Sequence, residues 1–142
     1  MKSKRSFLLI LVICLLAVAL WFYWEQSFSL ASVLPEEQWI RAEIWVGDPG
    51  IGDTKWEGEI DLNALLMEME QTHVTRGPDF PGMTQPYFRL TLYKGEAYPT
   101  IICVVKNGQI SVAKELDFDH YKYYEGGEEL YIALQKMIVA ES

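Results

Sequence analysis

Residues 87–112 read YFRLTLYKGEAYPTIICVVKNGQISV, and the fold class follows from them. Phe88, Leu90 and Leu92 alternate with Tyr87, Arg89, Thr91 and Tyr93. That period of two puts one set on each face of a strand. Gly95-Glu96 suits a tight turn. Residues 100–106 (TIICVVK) are the most apolar run outside the N-terminal region and read as a central strand. Asn107-Gly108 then signals a two-residue hairpin turn, which needs positive φ at both positions. The chain returns over 109–114 with Ile110 and Val112 inward. Strands joined by such turns are antiparallel.

The same reading extends outward in both directions. Before this unit, Ile40, Ala42, Ile44 and Val46 alternate with Trp39, Arg41, Glu43 and Trp45. A turn-rich loop around Asp48 and Asp53 leads to a second alternating run with Trp56, Gly58 and Ile60. Asp61 can cap a helix in which Leu62, Leu65, Leu66 and Met69 form one apolar stripe. Residues 72–76 suit a short edge strand, and 77–86 hold three prolines and two glycines, hence a loop. After the unit, 116–125 can supply a further short strand. Gly126-Gly127 breaks the chain. Glu128 and Glu129 open a last helix, where negative charge suits the helix dipole, and Leu130, Leu134, Met137 and Ile138 form its stripe. The expectation is a two-layer α+β domain: an antiparallel sheet of about five to six strands with two helices on one face.

The N-terminal region differs in kind. Residues 7–24 (FLLILVICLLAVALWFYW) carry no charge over 18 positions. As a helix they span roughly 27 Å, close to the hydrocarbon thickness of a bilayer. Trp21, Phe22, Tyr23 and Trp24 form an aromatic end of the sort that settles at headgroup depth. Lys2, Lys4 and Arg5 precede the run and acidic residues follow it. The positive-inside rule therefore puts the N-terminus in the cytoplasm and the domain outside, in a single-pass cell-membrane protein. The alternative is a secreted domain released by signal-peptide cleavage, for which Ala17-Val18-Ala19 fits. Cleavage there would leave an exposed aromatic patch at the new N-terminus. Ile13 before Cys14 does not suit a lipoprotein signal. The expected organisation is a transmembrane anchor over 1–24, a linker over 25–37 and an extracytoplasmic domain over 38–142.

Charge narrows the partners. From residue 25 onward there are 20 acidic and 9 basic side chains, a net charge of −11. Such a surface repels phosphate backbones, so nucleic acid is not an expected partner. It also argues against general adhesion to anionic headgroups. Cys14 in the apolar run and Cys103 in the domain cannot pair with each other, so the domain does not rely on a disulfide.

Motifs for catalysis are sparse. His73 and His120 lie far apart in sequence with no cysteine pair beside them, which does not make a zinc site. Asp117, Asp119 and His120 form an acidic cluster that reads first as solvated loop and second as an acid/base group. Asp48 and Asp53 lack the spacing of a calcium loop. There is no Gly-x-Ser-x-Gly, no Ser-x-x-Lys and no phosphate-binding glycine loop. Cys103, mid-strand, reads as a small buried hydrophobe. No metal or cofactor is expected.

The functional expectation rests on a surface. If Phe88, Leu90 and Leu92 face the helices, then Tyr87, Arg89 and Tyr93 face outward, as do Trp39, Arg41 and Trp45. Trp, Tyr and Arg on an uncovered sheet face suit protein recognition or stacking on a cell-wall glycan. They also simply pair across strands and shield the face. The basic start, the single apolar helix, the β-β-α layout, VVKNGQISV (104–112) and EELYIALQKMI (128–138) resemble small envelope proteins of Gram-positive bacteria with domains of unknown function. That resemblance implies no activity and no site residue. The expected function is a membrane-anchored extracytoplasmic binding or regulatory module. An envelope hydrolase using Asp117, Asp119 and His120, or an oligomerisation domain contacting through a sheet edge, are the alternatives.

Overall fold

The computed structural model describes residues 2–34, 39–49, 54–78, 84–95, 99–114 and 121–141. The protein is α+β, with an apolar N-terminal helix and one antiparallel sheet. Helix α1 (Lys2–Glu25) is apolar all round its circumference. Its window Ser3–Trp24 is long and apolar enough to cross a membrane, and none of it is buried within the protein. A soluble helix would hide one stripe; this one hides none.

The strands are β1 (Phe28–Ser29), β2 (Arg41–Gly47), β3 (Thr54–Ile60), β4 (His73–Arg76), β5 (Tyr87–Tyr93), β6 (Thr100–Val105), β7 (Ile110–Ala113) and β8 (Lys122–Glu125). They lie in the order β1-β4-β8-β7-β6-β5-β2-β3. Strands β5 to β8 form a meander, and β2–β3 is a hairpin docked on β5. The chain between β3 and β4 must therefore cross the whole sheet. Helix α2 (Leu62–Gln71) makes that crossing, and α3 (Glu128–Glu141) packs beside it.

One core results. Ala42, Ile44, Phe88, Leu90, Leu92, Ile102, Val104, Ile110 and Val112 line the inner sheet face. Leu65 and Met69 of α2 and Leu130, Tyr131 and Leu134 of α3 close over them. Helix α2 begins as expected: the Asp61 carboxylate accepts from the N–H groups of Asn63 at 3.0 Å and Ala64 at 3.3 Å. Its last carbonyls are satisfied by hydroxyls, Thr72 donating to Glu68 O at 2.6 Å and Ser29 to Glu70 O at 2.9 Å. Those bonds serve groups a helix end otherwise leaves open.

Several expectations need correction. Among the described residues the sheet has eight strands, not five to six, and a 3₁₀ turn (Leu30–Val33) accompanies three α-helices. The linker over 25–37 gives way to structure over 28–34. Phe28–Ser29 is a strand, Leu30 is fully buried, and the Leu30 N–H donates to Thr72 O at 2.8 Å. Serine-rich composition hid three apolar residues, Phe28, Leu30 and Leu34, that insert into the core. Ile40 was expected inward but is 65% exposed, while Trp39, expected outward, packs against the core. Regular pairing starts only at Arg41, so strand alternation does not govern the two residues before it. A bulge lies in β3: Ile44 pairs with Gly58 but Trp45 with Trp56, leaving Glu57 extra. Trp56 is thus in register with Trp45, not grouped with Gly58 and Ile60.

The Asn107-Gly108 turn is also longer than a two-residue loop. The Gly108 N–H donates to Val105 O at 2.9 Å and the Val105 N–H to Gln109 O at 2.8 Å. This is a three-residue loop, with Gly108 at φ +95° supplying the left-handed bulge position. The Asn107 carboxamide oxygen accepts from the Gln109 N–H at 3.0 Å and braces it.

Candidate binding surface

The outer sheet face is built from the alternate residues of β2, β5, β6, β7 and β8. Register places Trp45, Arg89, Cys103, Ser111 and Tyr123 in one row across five strands. The next row runs Glu59, Glu43, Thr91, Ile101 and Ala113. Helices α2 and α3 lie on the other face, and among the described residues no helix covers this one.

Of the six residues expected to form a surface, five lie here: Arg41, Trp45, Tyr87, Arg89 and Tyr93. Trp39 does not, since its ring packs against the core with the Lys94 ammonium 5.9 Å from the ring centre. Four of the five are organised in stacked pairs. The Arg41 guanidinium lies 4.0 Å over the Tyr93 ring, and Arg89 lies 4.7 Å over Trp45. Each contact draws a cation to the electron-rich ring face and holds both side chains flat against the sheet. Tyr87 covers Gly47, its cross-strand partner; a Cβ at Gly47 would fall inside the Tyr87 ring.

An acidic side chain completes the first pair. Arg41 donates to Glu43 at 2.8 Å and also approaches Glu59 at 3.6 Å. The Tyr93 hydroxyl donates to the other Glu43 oxygen at 3.1 Å. Burial and this hydrogen bond to a carboxylate both raise the Tyr93 pKa, because both disfavour the phenolate. Glu43 is thereby a pivot between Arg41 and Tyr93.

Around Arg89 the surface is less saturated. Its Nε is buried and has no hydrogen-bond partner among the described residues. Cys103, directly opposite on β6, is buried and its thiol pKa is raised by desolvation. Ser111, through a hydrogen bond, and Arg89, through its charge, pull the other way without prevailing. This thiol is not an activated nucleophile. Tyr121 stands next to Tyr123 at the end of the row, their ring centres 6.3 Å apart, and burial raises the Tyr121 pKa.

Sequence reasoning missed Glu43 as the shared acceptor, and it missed the tyrosines of β8. Strand alternation already put Glu43 outward, two residues from Arg41, which was the available signal. Asp53, Asp117, Asp119 and His120 lie outside the described residues. Among the described residues no cluster of three metal-ligating side chains occurs. No protein-family model matches the chain, nor does any curated protein or solved structure.

Proposed function

We propose that the protein is a membrane-anchored extracytoplasmic binding or regulatory module that recognises another envelope protein through the outer sheet face. The observation that carries this reading is the row of stacked cation–aromatic pairs, Arg41 on Tyr93 and Arg89 on Trp45, on a face that neither domain helix covers. Flat, pre-ordered aromatic and arginine side chains lose little conformational freedom on binding, which is why interfaces favour them. The apolar helix with bases before it and acids after it supports an anchor with the domain outside.

The test is photo-crosslinking in cells from a benzoyl-phenylalanine at position 45 or 87 of the full chain. A single envelope protein captured from both positions, and lost in Arg89→Ala with the fold intact, is the expected result. Only self-crosslinks, or capture unaffected by Arg41→Ala and Arg89→Ala, would overturn the reading. The anchor is tested separately: the chain should resist alkaline extraction from membranes, and the domain should be cut by protease added outside intact cells.

A further inference from the structure

Where α1 meets the sheet lies a groove of about 720 Å³. It opens between Tyr23 and Trp24, the last aromatics of the apolar span, and the strand ends carrying Arg76 and Lys122. Tyr121 and Tyr123 form its far wall. Its size falls within the range of sites for small molecules.

Its charge departs from that of the chain. Twenty acids face twelve bases in the sequence, yet two bases and no acid line this groove among the described residues. Arg76 is held firmly. Its guanidinium donates to the Tyr23 carbonyl at 3.0 Å, and lies 4.0 Å from the Tyr23 ring centre and 5.0 Å from that of Phe28. No carboxylate pairs with Arg76 or Lys122 among the described residues. Register sets Arg76 opposite Tyr124, and Lys122, two residues along, is on the same side of β8. Such diagonal neighbours stand roughly 7–8 Å apart at the backbone, room for one tetrahedral anion between the two cations.

The position specifies the source of that anion. Tyr and Trp at the end of an apolar helix settle at headgroup depth, where lipid phosphates lie. The fixed guanidinium offers a planar fork of N–H donors and Lys122 a point charge, the pair of chemistries suited to phosphate oxygens. The acidity of the rest of the domain does not oppose this at contact range, since charges beyond about 8 Å are screened at physiological salt. We propose that this groove binds the phosphodiester of an anionic membrane phospholipid, with Arg76 and Lys122 on the phosphate. The inference rests on the anchor reading above, but not on the outer-face partner.

The test uses the full chain in nanodiscs of equimolar phosphatidylglycerol and phosphatidylcholine, with retained lipid counted by native mass spectrometry. The unsubstituted chain should keep phosphatidylglycerol in preference to phosphatidylcholine. Lys122→Gln and Arg76→Gln should each cut that retention about tenfold, the loss of one charge-assisted contact. Lys136→Gln, on α3, should leave it unchanged. Arg76→Lys keeps the charge without the fork, so partial retention there separates phosphate binding from a folding defect; circular dichroism checks the fold of each variant. Equal retention in the glutamine variants would overturn the proposal. So would equal retention of the two lipids, or displacement by inorganic phosphate as effective as by short-chain phosphatidylglycerol. Recovery of a cleaved, soluble domain from cells would instead overturn the anchor reading and the lipid site together.

Discussion

The two faces of the sheet use the same strands and opposite chemistries. The inner face is aliphatic, built on Leu90, Leu92, Ile102 and Val104, all fully buried beneath α2 and α3. The outer face is polar and aromatic; small residues such as Ser111 and Cys103 are buried there, although among the described residues no helix lies on this side. Energy on the inner face comes from area removed from water and from close packing. On the outer face it comes from a few directional contacts, each modest. The lesson is that stability and recognition can be separated within one sheet: a substitution on one face should read out as unfolding, and on the other as lost binding.

The largest effect should come from the inner face. Leu90→Ala removes a fully buried side chain from the centre of the core and should cost about 2–5 kcal/mol in chemical unfolding. A loss below about 1 kcal/mol would break the contrast, since surface-like sites behave that way. Next comes the one outer position packed like a core. Gly47→Ala pushes a methyl into the Tyr87 ring and should cost about 1–3 kcal/mol. In a Tyr87→Ala background the same change should cost much less, and equal costs in both backgrounds would refute the packing account.

Smaller still is the coupling of Arg89 to Trp45. A double-mutant cycle with alanine at both should give about 0.5–1 kcal/mol, as for half-exposed cation–aromatic pairs. A coupling indistinguishable from zero would leave the outer face without its organising contact. The surface pair Arg41–Glu43 should contribute less, about 0.5 kcal/mol or below by the same method, and less again at high salt. At neutral pH the smallest effect of all should come from pH itself. Cys103 and Tyr93, Tyr121, Tyr124 and Tyr131 all have raised pKa values, chiefly through burial. A group held neutral in the fold contributes fully below its unfolded pKa, and that contribution is lost as pH rises through the folded one. The thermal midpoint should therefore not respond to these groups near pH 7, and should fall as pH climbs past the ordinary thiol and phenol ranges. Cys103→Ala should delay the first part of that fall; an unchanged profile would remove the thiol from the account.

How legible was this in the sequence? Period-two alternation in β2 and β5 was enough to sort Arg41, Trp45, Tyr87, Arg89 and Tyr93 onto one face. It failed where the backbone stops being a strand, as at Trp39 and Ile40. It also failed at β3, because a bulge adds a residue that no local pattern announces. The Asn107-Gly108 turn shows how much hangs on one residue. A two-residue loop would pair Cys103 with Val112, but the three-residue loop pairs it with Ser111. Only the latter keeps Ile110 and Val112 inside while Cys103 stays outside. Strand β1 escaped because a two-residue edge strand owes its existence to a distant partner, Phe28 to Val74, whereas 72–76 was legible as a strand and only its place inside the sheet, between β1 and β8, was not. The basic groove at the end of α1 was illegible for the same reason: Tyr23 and Arg76 are 53 residues apart.

Strand β1 begins only two residues beyond the end of α1, with Gln26 and Ser27 between them. Fully extended, two residues reach about 7 Å. If α1 sits in a bilayer, the domain has almost no leash. It works as a fixture resting on the lipid surface, so a partner must approach to within one domain's width of the membrane to be met.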